Sequence, residues 1–295
     1  MSVYHLGELT VQRMAGVSKV AEQNGKSVRS EIPQVAADFL RQQTMIVAGT
    51  TDGAGDVWAS MLTGPAGFIR VADPVTVELH PFERDDAAYS NIQGNPEIGL
   101  LAIELVKRRR MRMNGQAALR PDGGITVLLE QVYSNCPKYI QAREQPAREA
   151  ALFETVARDE LTASQERWIR QADTFFIATS AADGKTDASH RGGTPGFVRL
   201  AGGELRFPDY FGNSMFNTLG NIYSNPRCGL IFIDFETGGT LQLTGDAAID
   251  WNPASAAEFP GAERVVVFRP RRAVERIALT PAPWSFLSAS PFNPK

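Results

Sequence analysis

The chain contains two copies of one unit, and this internal duplication constrains its fold more than any local motif does. Gly64–Val71 reads Gly-Pro-Ala-Gly-Phe-Ile-Arg-Val and matches Gly193–Leu200, which reads Gly-Thr-Pro-Gly-Phe-Val-Arg-Leu. Further blocks match in the same order: Asn95–Leu101 with Asn225–Ile231, and Gly115–Leu119 with Gly245–Ile249. Because chance would not keep several separate blocks collinear, we interpret the chain as a tandem duplication.

The composition is that of an ordinary globular protein. Of the 295 residues, 43% are hydrophobic and 21% are charged. A net charge of −3 is too balanced to favour a nucleic-acid or anionic-membrane partner. No apolar run reaches bilayer length and the start lacks a signal-peptide pattern, so we expect a soluble cytoplasmic protein. Two cysteines, Cys136 and Cys228, are too few for a four-cysteine metal site and are expected to be reduced thiols.

The second copy predicts a mainly β unit with peripheral helices. Short strands rich in β-branched and aromatic residues alternate with glycine-containing turns, the clearest at Asp183-Gly184. About six strands and two short helices per copy indicate a small antiparallel barrel. The pattern also predicts a helix over Asn213–Ser224, two late strands at Arg264–Phe268 and Val274–Leu279, and amphipathic helices over Glu8–Val20 and Gln145–Asp159.

We divide the chain into four parts. Residues 1–30 form an N-terminal helical extension, and residues 31–130 form the first copy, whose site is degenerate. Residues 131–162 form a connector that holds an Asn-Cys-Pro-Lys-Tyr loop and a helix. Residues 163–295 form the second copy, which carries the expected phosphate site.

Polar residues that occur in only one copy indicate where function lies. The sequence holds no Walker loop, Gly-x-Gly-x-x-Gly, His-Glu-x-x-His or Gly-x-Ser-x-Gly motif, and no histidines at metal-ligand spacing. The second copy has His190 and Arg191 where the first has Met61 and Leu62. We therefore predict an anion site, without a metal, in the second copy only.

The stretch that follows supports this prediction. Asn213, Asn217 and Thr218 lie near the start of a predicted helix, where free N–H groups and an arginine suit a phosphate. The matching first-copy stretch, His80–Asn91, is acidic and would repel one. Alternatively, these side chains only cap the helix and shape the turn.

Several segments resemble the pyridoxamine 5′-phosphate oxidase-like, FMN-binding split-barrel superfamily, and more narrowly its long, duplicated flavin-nucleotide-binding branch. In the second copy they are Gly196–Leu200, Phe207–Tyr210, Asn217–Asn221 and Asn225–Phe232. Outside it they are Tyr4–Val17, Asn135–Gln141 and Ser290–Pro294. The resemblance therefore extends over nearly the whole chain.

The resemblance implies two tandem six-stranded antiparallel split β-barrels with FMN in a cleft at their interface. Single-unit relatives form that interface as homodimers, so a homodimer is conceivable here, although two copies in one chain could build the interface internally. FMN would carry electrons between a nicotinamide or other small-molecule donor and an acceptor. The alternatives are a haem-binding or haem-degrading protein, a non-catalytic flavin protein, and a deazaflavin (F420) protein.

The resemblance also assigns site residues. The strand that contacts the phosphate and ribityl chain would supply Ser189, His190, Arg191 and Gly192. The phosphate-binding turn and helix start would supply Asn213, Asn217 and Thr218. Thr240 or Gln242 would approach the flavin ring. The turn Asn213–Asn217 departs from the family pattern because it holds no basic residue.

The first copy and the connector could supply the missing positive charge. Lys107–Arg112 is strongly basic, and in a strand Arg110 and Arg112 share one face. They are either an anion-binding edge that faces the second copy or a solvated edge that discourages aggregation. Lys138 lies in a loop that either closes over the flavin or fills the gap between the copies. His190, the catalytic candidate, either transfers a proton or is a strand histidine bonded to the backbone.

Overall fold

A computed structural model of the chain describes residues 2–82, 84–146 and 152–294. Three helices precede the first sheet: α1 (Leu6–Met14), α2 (Ser18–Gly25) and α3 (Gln34–Arg41). The first unit then contains β1 (Met45–Thr51), β2 (Val57–Thr63), β3 (Ile69–Asp73), β4 (Thr76–Leu79), α4 (Ala87–Gly94), β5 (Glu97–Glu104), β6 (Arg109–Leu119) and β7 (Ile125–Ser134).

The connector and the second unit contain the remaining elements. They are β8 (Ala142–Glu144), β9 (Phe153–Arg158), α5 (Ala163–Gln171), β10 (Thr174–Ser180), β11 (Thr186–Gly192), β12 (Arg199–Ala201), β13 (Glu204–Tyr210), α6 (Asn217–Ser224), β14 (Arg227–Ile233), β15 (Thr240–Asp250), α7 (Pro253–Ala257), β16 (Ala262–Ala278) and β17 (Ser285–Ser288).

The two units have the same topology, which confirms the predicted pair of mainly β split barrels. The first sheet runs in the order β2-β1-β5-β6-β7-β4-β3, and the second in the order β11-β10-β14-β15-β16-β13-β12, with β9 added against β16. All strand pairs are antiparallel, and each path has one strand more than the six expected. Each unit also buries its own apolar core between the sheet and its helices.

The two late strands predicted in the second copy are one continuous strand, β16. Pro270 lies in the gap between the two predicted strands, and a proline cannot donate a hydrogen bond to a sheet ladder. In the structure Pro270 lies at a register shift, opposite Gly245 of β15. A Cβ on Gly245 would lie 2.1 Å from the carbonyl oxygen of Arg269, so only glycine fits at this bulge.

The helix predicted over residues 145–159 of the connector is wrong where the structure describes the segment. Phe153–Arg158 pairs with the second half of β16 as strand β9, and Thr155 and Val156 suit that extended conformation. Residues 147–151 lie outside the described residues. Tertiary pairing with an open strand edge therefore outweighed the helical pattern in this segment.

The N-terminal helix predicted over Glu8–Val20 is two helices. Gly16, with φ of 71°, ends the first and lets the chain turn into α2. Helix α1 crosses α6 of the second unit at very short range, since a Cβ on Gly7 would lie 2.2 Å from the carbonyl oxygen of Gly220. None of the helices among the described residues is long and apolar enough to cross a bilayer.

The two units pack through strands related by the duplication. A Cβ on Gly99 of β5 would lie 2.5 Å from the Cα of Asp187 in β11, and one on Gly229 of β14 would lie 2.8 Å from the Cα of Trp58 in β2. Around these two contacts, apolar side chains of both units form one shared buried cluster. The strands of the two units thus touch backbone to backbone, which leaves no slack in their relative position.

We expect Gly99→Ala to destabilise the protein by about 1–3 kcal/mol, because the added methyl group meets rigid backbone. Urea unfolding followed by circular dichroism measures the change. Gly53→Ala is the matched control, since nothing lies within 4 Å of a Cβ at that position. Equal midpoints for the two variants would contradict the close packing of β5 against β11.

Candidate functional site

A cleft lies between the units, where β11 of the second unit faces β6 of the first. It measures about 590 Å³ including its open mouth. It brings together eight of the residues predicted from sequence: Arg110, Arg112, Lys138, Ser189, His190, Arg191, Gly192 and Asn213. A connected hollow at the start of α6 adds Asn217 and Thr218.

Arg112 crosses from the first unit into the second. It is only 7% exposed, its Nη1 donates to Asp187 at 2.9 Å, and its Nη2 donates to the hydroxyl of Ser189. The hydroxyl of Tyr133 donates to the same Asp187 carboxylate at 3.1 Å. Because a buried charge needs a partner, this network holds the guanidinium of Arg112 at the floor of the cleft.

Arg110 lies beside His190. Its Nη1 is 3.1 Å from Nδ1 of His190, and its Nε donates to the carbonyl oxygen of Cys136 at 3.0 Å. Burial and the neighbouring guanidinium groups, led by that of Arg110, hold the pKa of His190 well below its usual value. The imidazole is therefore neutral at pH 7. The ring cannot act there as a charged imidazolium acid.

Two further arginines of the second unit face a buried carboxylate. Nη1 of Arg264 lies 3.3 Å from Asp209, and Nη2 of Arg191 lies 3.9 Å from it. Burial raises the pKa of Asp209, against the effect of the two arginines. The Nε atoms of Arg191 and Arg264 are buried and lack hydrogen-bond partners among the described residues. They are donors with unused capacity beside the start of α6.

Helix α6 begins without a side-chain cap. It starts at Asn217 rather than at the predicted Asn213, because Ser214 and Phe216 adopt left-handed φ values of 58° and 60°. Thr218 is buried in the first turn. The first N–H groups of a helix lack internal partners, so this terminus is suited to an anion.

The amide side chains at this helix start are bonded within the protein. Oδ1 of Asn213 accepts from the backbone N–H of Met215 at 3.1 Å. Nδ2 of Asn217 donates to Oε1 of Glu8 at 2.6 Å. For these two side chains the alternative interpretation, that they shape the turn, agrees with the contacts.

The loop after β7 covers one side of the cleft. Tyr139, at a φ of 65°, donates its hydroxyl to the carbonyl oxygen of Phe211, and Nζ of Lys138 lies 4.5 Å from the centre of the Phe211 ring. Buried Gln141 donates to the carbonyl oxygens of Tyr139 and Gly193, and thereby ties the loop to the second unit. The loop therefore closes the cleft, with Lys138 at the aromatic mouth.

The duplication gives the second-unit cleft an equivalent region in the first unit, but its polar groups are replaced or paired. Met61 and Leu62, which stand in place of His190 and Arg191, are buried in apolar cores. Arg276 is paired with Asp85 and Asp86. Asp86 also caps α4, with its Oδ1 accepting from the N–H of Ala88 at 2.9 Å. The helix start in the first unit is therefore already bonded to a carboxylate.

The expectation that Thr240 or Gln242 joins the other candidate residues is not met. Nε2 of Gln242 donates to the carbonyl oxygen of Ala59 at 2.9 Å and to Ser60 at 3.1 Å, and Thr240 lies on the same strand. The reason is that this strand of each barrel packs against the other unit. Strand β6 of the first unit therefore lines the second-unit cleft, whereas its equivalent in the second unit, β15, packs against β2 of the first unit.

Comparison with known families and structures adds to this geometry. Residues 161–287 match the family described as pyridoxamine 5′-phosphate oxidase, a segment that spans the second unit and less than half of the chain. This match supports placing the protein in the pyridoxamine 5′-phosphate oxidase-like superfamily. No curated protein matches it significantly.

Solved structures of other proteins resemble about one unit of this chain. One is a putative pyridoxamine 5′-phosphate oxidase from Lactobacillus delbrueckii (15% identity, TM-score 0.29, covering 36% of this chain and 95% of that one). Another is an F420 reductase (19% identity, TM-score 0.29, covering 37% of this chain and 95% of that one). A third is HutZ, the heme storage protein from Vibrio cholerae (11% identity, TM-score 0.30, covering 41% of this chain and 96% of that one).

Sequence reasoning missed two charged residues of the cleft. Asp187, which orients Arg112, differs between the copies, since Trp58 occupies the equivalent position, so comparison of the copies carried a signal for it. Arg264 gave no signal, because it lies on a strand remote in sequence from the phosphate-binding turn. Only the pairing of β16 with β13 brings Arg264 beside Asp209.

Glu8 of α1, which lines a neighbouring pocket and bonds to Asn217 at the start of α6, was not predicted. Burial raises its pKa from 4.5 to about 7, although the N–H of His5 and the amide of Asn217 hydrogen-bond its carboxylate. At neutral pH this carboxyl group is thus poised between its two charge states, next to the first residue of α6.

Glu8 should make stability fall as pH rises. The unfolded carboxyl ionises near pH 4.5 and the folded one near pH 7, so the folded state binds more protons between these values and loses stability across that window. In Glu8→Gln this loss, up to about 3 kcal/mol, should be absent. Urea unfolding at pH 5 and pH 8 measures it, and parallel pH profiles for the two proteins would contradict it.

Proposed function

We propose that the second-unit cleft binds FMN and that the protein is a flavin-dependent oxidoreductase. The observation that carries this proposal is the convergence of four arginines, Arg110, Arg112, Arg191 and Arg264, beside the uncapped start of α6. Among the described residues, the buried carboxyl groups near these four cations are those of Asp187, Asp209 and Glu8, with Glu263 at the exposed rim. The arginines therefore outnumber the buried carboxyl groups, and the excess charge is positive.

The unused donors fit a phosphate group. The Nε atoms of Arg112, Arg191 and Arg264 are buried without hydrogen-bond partners among the described residues. An unsatisfied buried donor costs about 1–3 kcal/mol, and a bound anion would remove that cost. Charge-assisted bonds from guanidinium groups to phosphate are among the strong ones.

Residues of both units would bind FMN. Arg191, Arg264 and the α6 N-terminus would hold the phosphate, with Ser189 and Gly192 along the adjoining strand. Arg110 and Arg112 would reach across from the first unit, and Tyr139 would close the site from the connector. When bound, FMN supplies the capacity to accept and pass on electrons. Both walls come from one chain, so this cleft needs no second copy.

The first experiment is the absorption spectrum of the freshly purified protein. A flavin spectrum, and FMN identified in the heat-released ligand, would support the proposal. An intense Soret band would replace it with the haem reading, and a deazaflavin spectrum with the F420 reading. If flavin is present, anaerobic reduction by NADH or NADPH and re-oxidation by oxygen separates an enzyme from a passive flavin carrier.

Arg191→Ala should weaken FMN binding by about tenfold to a hundredfold, because a charge-assisted bond to phosphate is lost. Fluorescence titration of the ligand-free protein with FMN measures this effect. Leu62→Ala, at the equivalent position of the first unit, should lower stability by about 2–5 kcal/mol and leave FMN affinity unchanged. Equal loss of affinity in both variants would contradict a single site in the second unit.

A further inference from the structure

The contact between Arg110 and His190 determines which nitrogen of the imidazole carries the proton. Nη1 of Arg110 lies 3.1 Å from Nδ1 of His190. A guanidinium has five N–H donors and no acceptor, so Nδ1 has to be the acceptor in this bond. A neutral imidazole that accepts at Nδ1 carries its proton on Nε2.

The charge states on both sides of this bond support the assignment. Burial, with the charges of Arg112 and Arg191, lowers the pKa of Arg110 to about 9, so its guanidinium remains protonated at pH 7. Burial and the surrounding cations keep His190 neutral. The groups that face the His190 ring are Arg110, Arg112, Arg143, Arg191 and the ring of Phe176.

The Nε2 atom has no hydrogen-bond partner among the described residues. His190 is only 3% exposed and lines the cleft, and Cε1 of its ring lies beside Gly192, another lining residue. A buried N–H group without an acceptor raises the free energy of the folded protein. Among the described residues, no protein acceptor therefore meets the proton on Nε2, and His190 lines the cleft from which an acceptor could approach.

We propose that Arg110 locks His190 as an Nε2–H donor, which selects an occupant that presents an oxygen or nitrogen acceptor to this atom and excludes a metal ion from it. An iron or other metal ion binds imidazole through an unprotonated nitrogen, and here one nitrogen is bonded to Arg110 and the other holds the proton. This inference rests on the proposed flavin function, which supplies such an occupant, and makes His190 a specificity-determining residue.

The first unit carries neither member of this pair. Met61 stands in place of His190, and Thr240, on the equivalent strand of the second unit, stands in place of Arg110. A thioether and a short hydroxyl cannot set a tautomer. The replacement His190→Met thus installs a side chain that the same fold already accommodates.

The tautomer is tested directly on the ligand-free, ¹⁵N-labelled protein. Long-range ¹H–¹⁵N correlation distinguishes the two ring nitrogens, and with three histidines in the chain, His190→Gln identifies the signals of His190 by their loss. We expect a neutral ring with the proton on Nε2 at pH 7, retained in Arg110→Lys and altered in Arg110→Met. A proton on Nδ1, or a charged ring, would overturn the inference.

The donor role is tested by FMN affinity. His190→Met should weaken FMN binding by about threefold to tenfold, the usual value of one hydrogen bond, whereas His190→Gln, which can still donate, should stay closer to the wild-type value. Equal affinities for wild type and His190→Met would overturn the donor role. So would equal weakening in both variants, because the donor would then make no difference.

The exclusion of a metal ion from His190 is tested with hemin. Wild type and His190→Gln should give the same hemin spectrum, and an axial-ligand band present in wild type but lost in His190→Gln would overturn the inference. Failure of the proposed function is distinguishable. If wild type binds no FMN, that proposal fails while the NMR result still decides the tautomer. If FMN binds and the proton lies on Nδ1, only this inference fails.

Discussion

The closeness of the two barrels, strand against strand, is the constraint from which the rest of the structure follows. At Gly99 and Gly229 a backbone of one unit touches a backbone of the other, and no side chain could be inserted. This contact sets β11 beside β6 and β2 beside β15. The second-unit cleft is consequently assembled from strands of both units, and Arg112 can reach Asp187 across the boundary.

Electrostatics distinguishes the second-unit cleft from the equivalent region of the first unit. In that first-unit region Arg276 is paired with Asp85 and Asp86, and the helix start is capped. In the second-unit cleft the arginines outnumber the buried carboxyl groups, and several buried N–H groups have no partner among the described residues. Because uncompensated buried charge is costly, such an arrangement is suited to binding an anion rather than to stabilising the fold.

Much of this could be predicted from the sequence, because a duplication carries its topology with it. The matched blocks predicted the two barrels, and His190 and Arg191, which stand where the first copy has Met61 and Leu62, pointed to the cleft that these two residues line. What could not be predicted depends on contacts remote in sequence. The strand exchange that takes Gln242 to the other cleft, the approach of Arg264, and the pairing of β9 with β16 have no local signature.

Joining the two barrels in one polypeptide has a consequence for how such a protein can diverge. In a symmetric homodimer, any substitution appears in both clefts at once, so neither can lose its binding groups without the other. Here position 61 and position 190 are separate residues. The two interfaces could therefore diverge: one has buried apolar side chains and an internal ion pair, while the other has buried donors without partners among the described residues.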